Sequence, residues 1–180
     1  VVAEDVAVPV IFGDDDGEDE VAARDEGERV LIELAGGGAC WDDVTCAMQS
    51  FLLTYPSFAM DALVGTSCSD VYDGYGKMMC DRRVGDVDFS TYNFVLVPYC
   101  TQDAHMGDGT NATSYGVLHV GGHNLYRTID WVLDNFPNPT EVVLAGCSAG
   151  ATPLAAAYEL IWSRYRDAGH DAKISVIGDS

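Results

Sequence analysis

Residues Gly146–Gly150 read Gly-Cys-Ser-Ala-Gly, which matches the G-x-S-x-G pattern of serine hydrolases. A serine hydroxyl is a poor nucleophile until it is exposed at a tight turn and a base removes its proton. An apolar run at 141–146 precedes the motif and a helical pattern follows it, which is the strand–turn–helix context that this chemistry needs. The sequence therefore predicts Ser148 as a nucleophile that attacks a carbonyl carbon. The alternative is a glycine-rich turn with a helix-capping serine.

Acyl transfer also needs backbone amides that bind the oxygen on which negative charge develops. The amide of Ala149, directly after the serine, is one predicted donor. Three glycines follow an apolar run at 29–34, where esterases carry a glycine-rich oxyanion loop, so Gly37 and Gly38 are predicted as further donors. The alternatives are a flexible turn or a phosphate loop. However, no Gly-Lys-Ser/Thr follows, and Trp41 occupies the third glycine position of G-x-G-x-x-G.

Polar residues after another apolar run, at 93–99, are candidates for the substrate pocket. Asp103, His105 and Asp108 follow this run closely. Ligands bind outside the carboxyl ends of parallel strands, so we expect these side chains to line the pocket. Two alternatives stay open here: a metal site, because Asp-x-His-x-x-Asp offers oxygen and imidazole ligands, and a solvated loop.

Four apolar runs and two amphipathic stretches must position these groups. The runs predict strands at 29–34, 93–99, 141–146 and 173–178, and the amphipathic stretches predict helices at 124–136 and 152–168. Apolar strands that alternate with crossover helices predict an α/β fold of the α/β-hydrolase type, a mainly parallel sheet with helices on both faces. We expect one partial domain over 1–180, with an irregular Cys-rich insertion at 41–90. The acidic run at 14–20 predicts a solvated loop, with calcium binding as the alternative.

Charge and cysteine content limit the function classes. The chain has 9 Lys and Arg against 29 Asp and Glu, a formal net charge of −20, which repels polyanions and excludes nucleic-acid binding. Six cysteines in 180 residues predict disulfides and a secreted protein; the alternative is a set of reduced, buried thiols. No apolar run approaches the roughly 18 residues that cross a bilayer, so no membrane span is predicted.

The order of residues along the chain bears on the rest of a catalytic triad. In α/β-hydrolases the acid and the histidine follow the serine, and His170 is the only histidine after Ser148. It falls directly behind the next predicted helix, and Asp167 and Asp171 belong to the same helix end. Asp179 closes a strand with no histidine after it. We therefore expect the catalytic acid and histidine beyond residue 180, in a chain that is truncated at both ends.

Four blocks of the sequence together resemble the pectin acetylesterase family, to which the Notum carboxylesterases belong. They are Gly36-Gly37-Gly38-Ala39-Cys40-Trp41, Val97-Pro98-Tyr99-Cys100-Thr101 with Asp103 and His105, Gly146–Gly150, and Gly178-Asp179-Ser180. The resemblance implies an α/β-hydrolase fold, hydrolysis of carboxylic esters, usually secretion, and a Ser-Asp-His triad without metal or cofactor. It implies Ser148 as nucleophile and Gly37, Gly38 and Ala149 as oxyanion donors. Trp41 and Asp179 are expected near the pocket, Asp179 not being the triad acid.

The sequence departs from this family pattern in two respects. Ala151 stands where a second glycine usually follows the serine motif, and the acidic surface disfavours de-esterified pectin, itself a polyanion. We therefore expect a serine esterase that removes acetyl groups from a polysaccharide or acts on a related acyl ester, such as an acylated protein. The alternatives are a lipase or thioesterase, and a non-catalytic glycan-binding or interaction protein with the same fold.

Overall fold

A computed structural model of the protein describes residues 10–12, 28–52, 83–84, 87–89, 91–99, 101–109 and 118–179. In chain order the elements are β1 (Val10–Phe12), β2 (Arg29–Leu34), α1 (Asp43–Leu52), β3 (Arg83–Val84), β4 (Val87–Asp88), β5 (Asn93–Val97), α2 (Gly121–Asn135), β6 (Glu141–Cys147), a 3-10 turn (Ser148–Gly150), α3 (Leu154–Asp167) and β7 (Lys173–Asp179). β3 and β4 form a separate antiparallel pair, and the other strands form one sheet.

Four strands of the main sheet run parallel. The strand order is β1-β5-β2-β6-β7, and only β1 is antiparallel to its neighbour. Leu34, the last residue of β2, lies opposite Val97 of β5 on one side and Gly146 of β6 on the other. Because these strands are parallel and in register, the turns after β2, β5 and β6 leave the same edge of the sheet. The predicted α/β fold with a mainly parallel sheet is confirmed.

Both α2 and α3 pack against one face of the sheet. Side chains alternate between the two faces of a strand, so every second residue of β2, β5 and β6 meets the apolar stripes of these helices. Fully buried members of this core are Val30, Ile32, Leu34, Val95, Val97, Val142, Leu144, Ile129, Val132, Ala157, Ile161 and Tyr165. The Tyr165 hydroxyl also donates a hydrogen bond to Phe136 O at 3.0 Å, which ties α3 to the end of α2.

The opposite face carries a second apolar core with a carboxyl group inside it. This core contains Leu31, Ala35, Phe89, Tyr92, Phe94, Leu96, Val143 and Ala145. Glu33 lies between Leu31 and Ala35 on the same face, is 5% exposed, and has no hydrogen-bond partner for Oε2. Burial raises the pKa of Glu33 to about 7, because the carboxylate loses its hydration. Neither α2 nor α3 contributes to this core, so a helix on this face stays a prediction.

Part of the segment at 41–90 is helical, and our expectation of an irregular insertion was wrong there. α1 covers Asp43–Leu52. The Asp42 carboxylate accepts a hydrogen bond from Thr45 N at 2.8 Å, which satisfies a free amide at the start of the helix. This cap stabilises a helix in a stretch without clear apolar periodicity. Residues 53–82 and the acidic run at 14–20 lie outside the described residues.

β7 is more exposed than the buried strand that we expected. It lies at the edge of the described sheet, where it pairs with β6, and Val176 is 45% exposed. An edge strand has a neighbour on one side only, which explains this exposure. The other predicted strands and both predicted helices are confirmed with ends shifted by a few residues. Among the described helices, none combines the length and the apolar composition needed to cross a bilayer.

Glu33→Gln tests whether the buried carboxyl lowers stability at neutral and alkaline pH. The folded protein keeps the Glu33 proton up to about pH 7, whereas the unfolded chain releases it near the ordinary pKa of 4.5. The free energy of unfolding should therefore fall as pH rises through this window, by up to about 3 kcal/mol, and stay low above it. The variant has no proton to lose there. Urea denaturation should show equal stability near pH 4.5 and a more stable variant at pH 8.

Glu141→Gln is the matched control, because its pH dependence has the opposite sign. Glu141 begins β6 and accepts hydrogen bonds from Lys173 and Tyr92, each at 2.7 Å, and these bonds lower its pKa. Its contribution to stability is present at neutral pH and is lost as pH falls through the lowered pKa. Glu141→Gln should therefore be less stable than the wild type at pH 8. An advantage of Glu33→Gln that is the same at both pH values would contradict the prediction.

Candidate active site

Ser148 lies at a tight turn between β6 and α3. Its φ is +54°, a conformation that residues with a side chain rarely adopt and that costs energy to hold. Ala151 N donates a hydrogen bond to Ser148 O at 3.0 Å, which closes the turn, and Ser148 itself is exposed. The predicted order of strand, turn and helix around the motif is therefore present.

Glycines on both sides of the serine allow the turn to sit close to its neighbours. A methyl group on Gly150 would lie 2.0 Å from Leu34 O, and one on Gly146 would lie 2.3 Å from Gly150 O. Both distances are far below any van der Waals contact between carbon and oxygen. The main chain of the serine turn therefore lies directly against the end of β2.

The predicted oxyanion loop starts at the same place. This glycine loop consists of residues 36–38. A methyl group on Gly36 would lie 2.4 Å from Cys147 O and 3.4 Å from Ser148 Cβ, so the glycine loop touches the serine turn. The φ of Gly38 is +79°, in the region that favours glycine. The structure thus brings the glycine loop and Ser148 together. That these amides bind an oxyanion stays a prediction.

A loop after β5, residues 101–109, supports the glycine loop. Three residues that are not glycine have positive φ here: Gln102 (+52°), Ala104 (+53°) and His105 (+56°). Such strain persists only where surrounding contacts hold the backbone in place. Gln102 O accepts a hydrogen bond from Cys40 N at 2.8 Å, which attaches this loop to the residue that follows the glycine loop by two positions.

Asp103 fastens the same loop to the start of α2. Its carboxylate accepts hydrogen bonds from Thr101 Oγ1 at 2.6 Å, His105 N at 3.1 Å and Gly121 N at 2.6 Å. A carboxylate is favoured at the amino end of a helix, where free N–H groups carry partial positive charge. These three contacts are all with the loop and the helix. The expected place of Asp103 in the substrate pocket stays a prediction.

His105 is almost completely buried, with 2% of its surface exposed. Its Nε2 lies 2.8 Å from Ala35 O, and its ring packs on Tyr99 with 4.7 Å between centroids. Burial lowers the pKa of His105, against the opposite effects of the Ala35 hydrogen bond and the Asp103 charge. The side chain that we expected to face substrate thus lies behind the glycine loop. No sequence pattern indicated its contact with Ala35.

Cys40 and Cys46 form a disulfide just after the glycine loop. The sequence predicted disulfides but did not indicate which cysteines pair. His119 Nε2 lies 3.7 Å from Cys40 Sγ and 4.0 Å from Cys46 Sγ, so the donor atoms of all three residues lie within 4.8 Å. Metal ions bind cysteine as thiolate, and sulfurs joined in a disulfide do not supply it. The cystine therefore does not fit a metal. Cys147 is free and exposed, and Cys68, Cys80 and Cys100 lie outside the described residues.

The remaining predicted pocket residues lie at the same edge of the sheet as Ser148. Trp41 is 75% exposed and follows the cystine residue Cys40. Asp179 lies opposite Cys147 in the β6–β7 register, and Cys147 is the residue directly before Ser148. Asp108 is exposed, and its carbonyl oxygen lies 2.9 Å from His123 Nε2.

The four histidines of the chain all lie in the described residues, and none of them is hydrogen-bonded to Ser148. His105, His119 and His123 make the loop contacts given above. His170 follows α3, a helix of 14 residues. This helix runs from the serine turn, at the carboxyl ends of the parallel strands, back to their amino ends, where β7 begins. A helix of this length spans about 21 Å, so His170 is far from Ser148.

A mainly parallel sheet with a serine in positive φ at the turn into a helix defines an α/β-hydrolase-like protein. The chain belongs to the pectin acetylesterase family, because the family model Pectinacetylesterase matches residues 23–167. It is similar to pectin acetylesterases 11 and 7 of Arabidopsis thaliana, with 24% and 23% identity over 123 residues. Each match covers 67% of this chain and 29% of the relative, so the chain spans about three tenths of these curated relatives. The family resemblance is thereby confirmed.

Gly150→Ala tests the contact between the serine turn and β2. The added methyl group would lie 2.0 Å from Leu34 O, so the turn or the strand end must shift. We expect the free energy of unfolding, measured by urea denaturation, to fall by about 3 kcal/mol.

Gly169→Ala is the matched control for this steric effect. Gly169 has a φ of +85°, but a methyl group there would meet no atom within 4 Å. Only backbone strain is expected, roughly 1 kcal/mol. Equal losses in the two variants would mean that the close approach to Leu34 is not what requires glycine at position 150.

Proposed function

We propose that the protein is a serine carboxylesterase in which Ser148 is the nucleophile. The observation that carries the proposal is the positive φ of Ser148 at a strand-to-helix turn, with Gly36 in contact with that turn. Strained residues cluster at active sites, and a hydroxyl exposed at such a turn can reach an incoming carbonyl carbon. Family membership supports ester hydrolysis independently of this geometry.

In the proposed reaction the Ser148 oxygen attacks the ester carbonyl carbon while a base takes the hydroxyl proton. The carbonyl electrons move to oxygen, and the amides of Gly37, Gly38 and Ala149 bind the resulting oxyanion. The bond to the alcohol then breaks, and the alcohol leaves with the proton from the base. Water, deprotonated by the same base, attacks the acyl-serine and releases the carboxylic acid and the free serine.

We propose that the base and its orienting acid come from parts of the protein outside these 180 residues. The four histidines are held in other contacts or lie at the opposite edge of the sheet, and the chain spans only 29% of its curated relatives. The lack of a histidine bonded to Ser148 in the described residues also favours a second candidate function, a non-catalytic glycan-binding protein with this fold. Turnover distinguishes the two.

For the substrate we propose an acetyl ester on a neutral polysaccharide. Both curated relatives carry the name pectin acetylesterase. A net charge of −20 opposes the approach of a polyanion such as de-esterified pectin, which favours an uncharged glycan. Trp41, exposed beside the glycine loop, offers an amphipathic ring against which a sugar can pack. An acylated protein, a lipid ester and a thioester are the alternatives for a substrate panel.

We propose an extracellular location and a single α/β-hydrolase domain to which these residues belong. Disulfides form and persist in oxidising compartments such as the extracellular space. The Cys40–Cys46 disulfide therefore supports an extracellular location. β2, β5, β6 and β7 of the main sheet contribute to its two apolar cores, which supports one domain. No cofactor or metal is needed for the proposed reaction.

Ser148→Ala should abolish ester hydrolysis by the protein produced from its complete open reading frame. Removal of one oxygen atom removes the nucleophile, so turnover of p-nitrophenyl acetate should fall at least about 1,000-fold. Ser163→Ala is the matched control, because it removes the same atom from α3, where the hydroxyl donates only to Leu160 O at 2.9 Å. This control should keep wild-type turnover.

Covalent labelling by a fluorophosphonate provides a second measurement, since it needs an activated serine. The label should appear on the peptide that contains Ser148 in the wild type and in Ser163→Ala, and nowhere in Ser148→Ala. Hydrolysis that persists in Ser148→Ala would assign the reaction to another residue. A folded wild type that takes no label and hydrolyses neither p-nitrophenyl acetate nor acetylated xylan would favour the non-catalytic role.

A further inference from the structure

We propose that His105 is a positioning residue: its ring N–H holds the Ala35 carbonyl and thereby fixes the entry into the glycine loop. This inference rests on the function proposed above, in which amides of that loop bind the oxyanion. His105 itself does not touch substrate, because it is 2% exposed and its Nε2 is already bonded to Ala35 O.

The contact acts on the glycine loop through one rigid peptide unit. The Ala35 carbonyl and the Gly36 N–H belong to the same planar group, so the direction of one sets the direction of the other. Ala35 N donates to Val97 O at 3.1 Å, which extends the β2–β5 ladder by one residue. His105 Nε2 donates to Ala35 O at 2.8 Å. With both polar groups of Ala35 bonded, the plane that leads into Gly36 has one orientation.

The glycine loop needs such contacts at its ends because it has no side chains of its own. Three consecutive glycines have more backbone freedom than any other tripeptide, and nothing on them can pack. The far end of the loop is held by the bond from Cys40 N to Gln102 O at 2.8 Å. Both ends are thus attached to the segment 101–109, and His105 provides the side-chain contact nearest to the serine turn.

The ring of His105 is itself held in one orientation. A carbonyl oxygen only accepts hydrogen bonds, so Nε2 must carry the hydrogen. Burial lowers the pKa of His105, which keeps the ring neutral near pH 7 with its hydrogen on Nε2. Tyr99 stacks on the ring, and the Tyr99 hydroxyl accepts a hydrogen bond from Ala104 N at 2.8 Å. A rotation of the His105 ring would break both its hydrogen bond to Ala35 O and its ring contact with Tyr99.

His105→Phe and His105→Gln separate the hydrogen bond from the packing. Phenylalanine keeps a ring against Tyr99 but has no donor, whereas the glutamine amide can donate at a reach close to that of Nε2. With p-nitrophenyl acetate and the protein from the complete open reading frame, His105→Phe should lower kcat at least about tenfold with KM within about twofold. His105→Gln should recover most of kcat. A merely structural role predicts no such recovery.

His123→Phe is the matched control. His123 makes the same type of bond, from Nε2 to Asp108 O at 2.9 Å, but it is exposed and lies at the start of α2. This variant should keep wild-type kcat. If His105→Phe does not fold, His105→Asn replaces it, since its shorter amide does not reach Ala35 O, and the same fall in kcat is expected.

Deuterium exchange of the peptide that covers residues 35–40 gives a readout that needs no turnover. Exchange should be at least about tenfold faster in His105→Phe and unchanged in His105→Gln and His123→Phe. Wild-type kcat or wild-type exchange in a folded His105→Phe would overturn the inference. A wild type without esterase activity would instead overturn the proposed function, and the exchange rates would still decide whether His105 orders the loop.

Discussion

The main chain after β2 and the main chain after β6 touch each other with no side chain between them. Gly150 lies against Leu34 O, and Gly36 lies against Cys147 O. This double contact is what places an exposed serine beside the glycine loop. It requires β2 and β6 to be adjacent, parallel and aligned, so that Leu34 and Gly146 end at the same level. The two helices on one face and the apolar core on the other keep that alignment.

Support for this contact comes from the side of β5. The segment 101–109 contains three residues in positive φ, and it is held by Asp103 at α2 and by Tyr99 beneath His105. Strain in such a segment persists only because surrounding hydrogen bonds hold the backbone in place. On the side of β7, Asp179 lies opposite Cys147.

Local patterns explain which parts of this arrangement were predictable. The strands are apolar runs bounded by glycine or polar residues, and α2 and α3 have regular amphipathic spacing, so the sheet and its helices followed from composition and period. The serine turn and the glycine loop were predictable because their chemistry needs fixed residue types at fixed offsets. α1 was missed because its main signal is a single cap, Asp42, rather than a period.

Contacts between distant residues account for what the sequence did not reveal. The bond from His105 to Ala35 joins positions 70 residues apart, and it depends on the path of the loop after β5. No residue type or spacing predicts this hydrogen bond. Because His105 follows a strand at the carboxyl edge of the sheet, the sequence instead predicted that its side chain faces the pocket. Glu33 is a second example. The sequence shows a carboxyl group within an apolar strand, but only the structure shows that Glu33 Oε2 has no hydrogen-bond partner.

A site whose shape is fixed by main-chain contacts constrains evolution in an uneven way. At positions 36, 146 and 150 any side chain would occupy space that already holds a backbone oxygen. The neighbouring positions 147, 149 and 151 are not constrained in this way, since here they hold cysteine and alanine rather than glycine. A lineage can therefore replace much of its surface and core while the geometry around the serine is inherited nearly intact.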